Sequence, residues 1–236
     1  MTESEWRTCD DFTRMVECLP GPPDHRKLRL FVCACCRMYP ECTNDDKSRS
    51  AIETAERFAD GIATSDDLSS AYRIANEACT AEWSTLGFEH PDETDIRHGQ
   101  FVRLCFRFGA AECAAPDPAP ELSVAAICSF NEGYWNALLQ LAWAPNLLER
   151  AASAFREIFG NPYRTKLFIN SWATSDVSNL AWQIYESRAF HSMPELAVAL
   201  EKAGCDDREL LDHCRMPAEH YRGCWGLDLV LGTRER

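Results

Sequence analysis

The side chains best able to do chemistry crowd into the last part of the chain. Three cysteines (Cys205, Cys214 and Cys224) and two histidines (His213 and His220) fall there among several charged residues. Thiolates and imidazoles are the donors a zinc ion takes, four of them converging tetrahedrally. His220 and Cys224 stand four apart and would share a face if both lay on a helix. Cys205 with either His213 or Cys214 would complete a set of four. Neighbouring residues on a helix point about 100° apart, so only one of that adjacent pair is expected to serve. The spacing departs from the tight Cys-x-x-Cys pairs of common zinc sites. A metal-free reading competes with it, in which the cysteines pack as small hydrophobes and the histidines bond helix-end carbonyls. In that reading Arg215, Arg222, Asp207, Asp212 and Asp228 form an ion-pair network around Trp225.

Covalent catalysis needs a thiol with a lowered pKa. Cys205 precedes the Asp206 helix start, Cys214 adjoins Arg215, and Cys224 lies a turn from His220. None sits in a glycine-rich elbow, and the chain shows no phosphate-cradling loop, dinucleotide fingerprint or Ser-His-Asp order. The paired acids Asp45-Asp46, Asp66-Asp67 and Asp206-Asp207 each precede a helix, where carboxylates accept unpaired backbone N–H groups. A second Cys-x-x-Cys spacing, Cys33 and Cys36, lies inside a run expected to be buried. No catalytic residue is assigned. The expectation is no cofactor, with zinc at Cys205, His213, Cys214, His220 and Cys224 as the alternative.

The elements that must position these residues read as helical. Thr2 with Glu5, Thr64 with Asp67, Ser192 with Glu195 and Asp206 with Glu209 are capping-box spacings. The segment from about Asp24 to Met38 is apolar on all sides, as in a helix surrounded by others, and Gly61, Gly160 and Gly204 stand where helices end. Pro116-Asp117-Pro118-Ala119-Pro120 interrupts the pattern. The expectation is an all-α domain of about nine or ten helices over residues 1–236, with 1–115 and 121–236 as candidate sub-lobes. For residues 219–231 a helix is favoured over a strand, although Gly223 and Gly226 weaken it.

At 236 residues, with 46% apolar and 26% charged, the chain can build a core without disulfide staples. Its thirteen scattered cysteines form no ladder of pairs, which suits a reducing compartment. No apolar run is long enough to span a bilayer, and the start Met1-Thr2-Glu3-Ser4-Glu5 is not a secretion signal. A cytoplasmic location is expected. The formal charge of −13 repels phosphate backbones. The one basic cluster, His25-Arg26-Lys27-Leu28-Arg29 with Arg37, reads as a salt-bridged helix entry rather than a nucleic-acid site.

Several segments together carry a resemblance. They are Arg26 to Phe31 followed by Cys33-Ala34-Cys35-Cys36-Arg37, Ala55 to Gly61, Phe159 to Pro162, Ala203-Gly204-Cys205-Asp206-Asp207, His213-Cys214-Arg215 and Arg222-Gly223-Cys224-Trp225. These resemble a family of bacterial proteins of similar size that has no assigned activity, ligand or catalytic residues. The resemblance implies a bacterial, cytoplasmic single module and transfers no functional residue. The functional expectation is a non-enzymatic helical interaction or regulatory module that meets another protein, with Trp135, Trp143, Trp172 and Trp182 as candidate anchors. The alternative is a metal- or thiol-dependent protein, such as a small enzyme, centred on the C-terminal cysteines and histidines.

Overall fold

The structure is a computed structural model that describes residues 1–21, 24–38, 43–86, 147–164 and 170–232. The fold is all-α: the described residues form ten α-helices and two short 3-10 turns, with no strand among them. No helix among them is long and apolar enough to cross a membrane. Two compact units divide the chain, Asp10–Ala151 on one hand and Met1–Cys9 with Ala152–Arg236 on the other. The proline-rich interruption at 116–120, and the tryptophans Trp135 and Trp143, lie outside the described residues.

In the Asp10–Ala151 unit, α2 (Phe12–Glu17) is capped by Asp11 and α3 (His25–Arg37) by Asp24. Asp45 caps α4 (Asp46–Ala59) by accepting from the Ser48 backbone N–H at 2.8 Å. After Gly61 turns the chain at φ 71°, the Thr64–Asp67 box opens α5 (Ser65–Leu86). α4 packs on both α3 and α5. Leu28, Leu30, Phe31, Cys33, Ala34, Cys35 and Cys36 of α3 are buried, so this helix is enclosed as its composition predicts. Each large side chain so buried contributes about 1.5–3 kcal/mol.

The basic cluster at the start of α3 is absorbed by pairing. Arg26 bonds Asp60, Arg29 lies over the Phe58 ring, and Arg37 grips Glu56 with two bonds of 2.7 and 2.8 Å. Glu56 is only 2% exposed, and its carboxylate needs that fork. Arg37→Met is predicted to lower the stability of the fold by about 3 kcal/mol, because a carboxylate stays buried without its guanidinium. Arg37→Met with Glu56→Met should recover most of that loss. Urea denaturation of the three proteins measures it, and a single variant as stable as the parent contradicts it.

The second unit takes in the part of α6 (Leu147–Phe159) from Ala152 on, whose Ala154, Phe155 and Ile158 are fully buried. Against it lies α1 (Glu3–Thr8), started by the Thr2–Glu5 capping box, with Trp6 6.1 Å from Phe155 between ring centroids. Arg156 donates to the Cys9 carbonyl at 2.6 Å and Asn161 to Glu3 at 2.9 Å. Four more helices follow: α7 (Ser175–Ser187), α8 (Met193–Lys202), α9 (Arg208–Arg215) and α10 (Trp225–Leu231). α7 packs on α8 and α10, and α9 on the same two. Their shared core includes Val177, Ile184, Leu196, Leu200, Leu210, Cys214 and Leu227. Trp172 is buried there, whereas Trp182 on α7 is exposed.

Two caps differ from the sequence pattern. Ser192 makes no side-chain cap bond, because a 3-10 turn (Phe190–Ser192) runs directly into α8, whose second residue is Pro194. α9 is capped by Asp207 rather than Asp206, its side chain accepting from the Leu210 N–H at 3.2 Å.

Candidate metal centre

His213 and Cys214 are adjacent on α9 and part company as helical geometry requires. Cys214 is fully buried in the apolar core, while the His213 ring, about 100° round the helix, packs 4.6 Å from the Trp225 ring. α9 ends at Arg215, which pairs with Glu201, and the chain then runs without regular structure to α10. In that loop His220 is 7% exposed. A tight turn follows, in which the Cys224 N–H bonds the Tyr221 carbonyl at 3.0 Å and Gly223 takes φ 84°. Arg222 anchors the turn to α7, its guanidinium 5.1 Å over the Tyr185 ring and within 3.4 Å of the Glu186 carbonyl.

Cys224 is therefore the N-cap of α10, and its carbonyl accepts the first helical bond from the Asp228 N–H at 2.9 Å. The expected placement of His220 and Cys224 on one helical face is corrected here. Residues 225–231 are helical, but the glycine-dependent turn at 221–224, not a helical repeat, brings these two side chains together.

The missing partner comes from far away in sequence. Glu157 on α6 is 8% exposed, and its Oε1 lies 2.6 Å from His220 Nδ1 and 3.5 Å from His213 Nε2. His213 Nε2 in turn lies 3.1 Å from Cys224 Sγ. Each of the four residues Glu157, His213, His220 and Cys224 offers a donor atom, and the four atoms all lie within 4.8 Å of one another. Zinc–ligand bonds of about 2.0–2.3 Å would set tetrahedral donors about 3.3–3.7 Å apart, so small side-chain shifts would bring these atoms around one ion. A metal ion could be held by this buried group.

The two His220 nitrogens face different ways. Nδ1 faces Glu157 Oε1 at 2.6 Å, and Nε2, on the far side of the ring, is buried with no hydrogen-bond partner. An ion shared with Glu157, His213 and Cys224 would take the Nδ1 lone pair, with the proton on Nε2. Glu157 Oε1 and His220 Nδ1, 2.6 Å apart, would then separate slightly as both turn to the ion. The Cys224 thiol is fully buried, and its pKa is raised, chiefly by burial and next by the Glu157 charge, with the Leu227 N–H opposing. A thiol held protonated in this way is a poor nucleophile, which argues against covalent catalysis at Cys224.

Of the residues singled out in the sequence, His213, His220 and Cys224 come together, and Cys205 and Cys214 are not in the four-donor group. Both lie in the apolar core beside Leu200 and Leu210. Burial raises the Cys205 pKa and pushes that of Cys214 up to about 12. Glu157 had no sequence signal: it stands 63 residues before His220, and no motif spacing links the two. No family model, curated protein or solved structure matches the chain.

The raised thiols make metal-free stability depend on pH. Unfolded cysteine ionises near about 8.5, and above that pH the unfolded chain has released protons that folded Cys214 and Cys224 retain. Their contribution is complete below about pH 8.5 and is lost as pH climbs toward the folded values, about 12 for Cys214. Urea denaturation of chelated protein at stepped pH should show stability falling across that window. A flat profile would contradict the burial of these thiols.

Proposed function

We propose that the protein is a metal-dependent helical module in which Glu157, His213, His220 and Cys224 hold one divalent ion of the zinc class. The ion's task is to fasten the C-terminal segment to the rest of its unit. The observation that carries this reading is the convergence of four donor atoms within 4.8 Å in a buried place. Three supports accompany it. One thiolate and one carboxylate neutralise a dipositive ion, so the filled centre would bury no net charge. A soft thiolate with two imidazoles favours zinc over calcium or magnesium, which take oxygen ligands. The donors also come from three places, α6, α9 and the turn before α10, which a single ion would cross-link.

Binding must displace the proton of Cys224, so affinity is expected to rise with pH across the neutral range. Protein purified without chelator is predicted to carry about one zinc per chain by elemental analysis. Removing it should lower the melting temperature by about 10 °C or more, since an ion at about a thousand times its dissociation constant adds about 4 kcal/mol. His220→Ala and Cys224→Ala should each abolish stoichiometric loading, while Cys205→Ala should keep it. A parent protein that is metal-free after purification, takes up no added zinc and melts identically with and without chelator would sink the proposal.

A further inference from the structure

Gly226 is the second residue of α10, and its presence there calls for a reason. Its backbone is helical and not in the left-handed region, so conformational freedom does not require glycine. Glycine weakens a helix interior relative to alanine. Space does require it: a Cβ at this position would stand 2.7 Å from His213 Cδ2, 3.2 Å from His213 Nε2 and 3.4 Å from Leu210 Cδ1. The first distance is below any carbon–carbon contact, and the second is to the nitrogen that faces Cys224 Sγ and Glu157.

The ring has little freedom to retreat. The Trp225 ring lies 4.6 Å away and the His220 ring 5.0 Å away edge-on, both between centroids. Leu210, one turn earlier on α9, is fully buried, and its Cδ1 stands 3.4 Å from the same added Cβ. A methyl group at 226 would therefore swing the imidazole or part α9 from α10, and either movement carries Nε2 away from the other donors.

We infer that Gly226 is a positioning residue of the metal centre: its missing side chain is the seat that places His213 Nε2 within reach of the ion held with Glu157, His220 and Cys224. This rests on the proposed function and assigns the selection of glycine at 226 to the metal site rather than to the fold. The helix would be stronger with alanine, and the centre weaker.

Zinc affinity, measured by competition with a chromogenic chelator, tests this in the full-length chain, Gly226→Ala, His213→Ala and the double variant. Gly226→Ala is expected to weaken zinc binding about 10- to 100-fold, the range for losing a partner that orients a ligand. In the His213→Ala background the same alanine should change affinity less than twofold, because the ring it would strike is gone. It should also raise the metal-free melting temperature there, through helix propensity. If Gly226→Ala alone does not fold, the double variant is expected to fold, and its failure to do so overturns the inference. Gly226→Ala binding within twofold of the parent overturns it as well, as does an equal loss in both backgrounds. A parent chain that takes up no zinc removes the proposed function and this inference together, whereas a parent that binds beside an unaffected Gly226→Ala removes this inference alone.

Discussion

A carboxylate in an apolar interior must find compensation, and the arrangement of the C-terminal unit follows from how Glu157 finds it. Glu157 lies on the helix that carries the buried Phe155 and Ile158, where an uncompensated charge would cost several kcal/mol. Its neighbours are two imidazoles and a thiol, groups that can each give up a proton or a lone pair to a cation. A buried polar cluster of this kind is stable when every member is satisfied, and a partly satisfied one is worse than an apolar core.

The surrounding elements supply rigidity. α1 clamps α6 through Trp6 and through the Arg156 bond to the Cys9 carbonyl, which fixes the helix that presents Glu157. Arg222 on the Tyr185 ring pins the loop that presents His220, and the Gly223 turn delivers Cys224 to the start of α10. α9 presents His213 to the Trp225 ring beside the core-filling Cys214. A donor set drawn from such distant positions is held by packing of the unit as a whole, and an ion there would in turn hold the packing.

Much of the architecture was legible because local signals agree with one another. The boxes at Thr2 and Thr64, the Asp45 cap and the glycines at 61, 160 and 204 place helix ends from chemistry within a few residues. Ser192 and Asp206 misled because a 3-10 turn and a one-residue shift of the cap satisfy the same backbone groups in another way. The centre was half legible: His213, His220 and Cys224 stand out by type, but the helical register that would pair His220 with Cys224 is broken by Gly223. Glu157 was not legible at all, since tertiary packing across 63 residues, and no spacing rule, brings it to His220. Cys205 and Cys214 share the residue type and, with Cys224, the same buried core, but they lie outside the four-donor group, a distinction of position that residue type does not carry.

X-ray absorption at the zinc edge, on protein loaded with one equivalent of zinc, addresses the central claim most directly. The account predicts a first shell of one sulfur at about 2.3 Å and nitrogen or oxygen donors at about 2.0–2.1 Å, with outer-shell scattering from imidazole rings. A shell with no sulfur, a shell of several sulfurs, or a purely aqueous oxygen environment would contradict it.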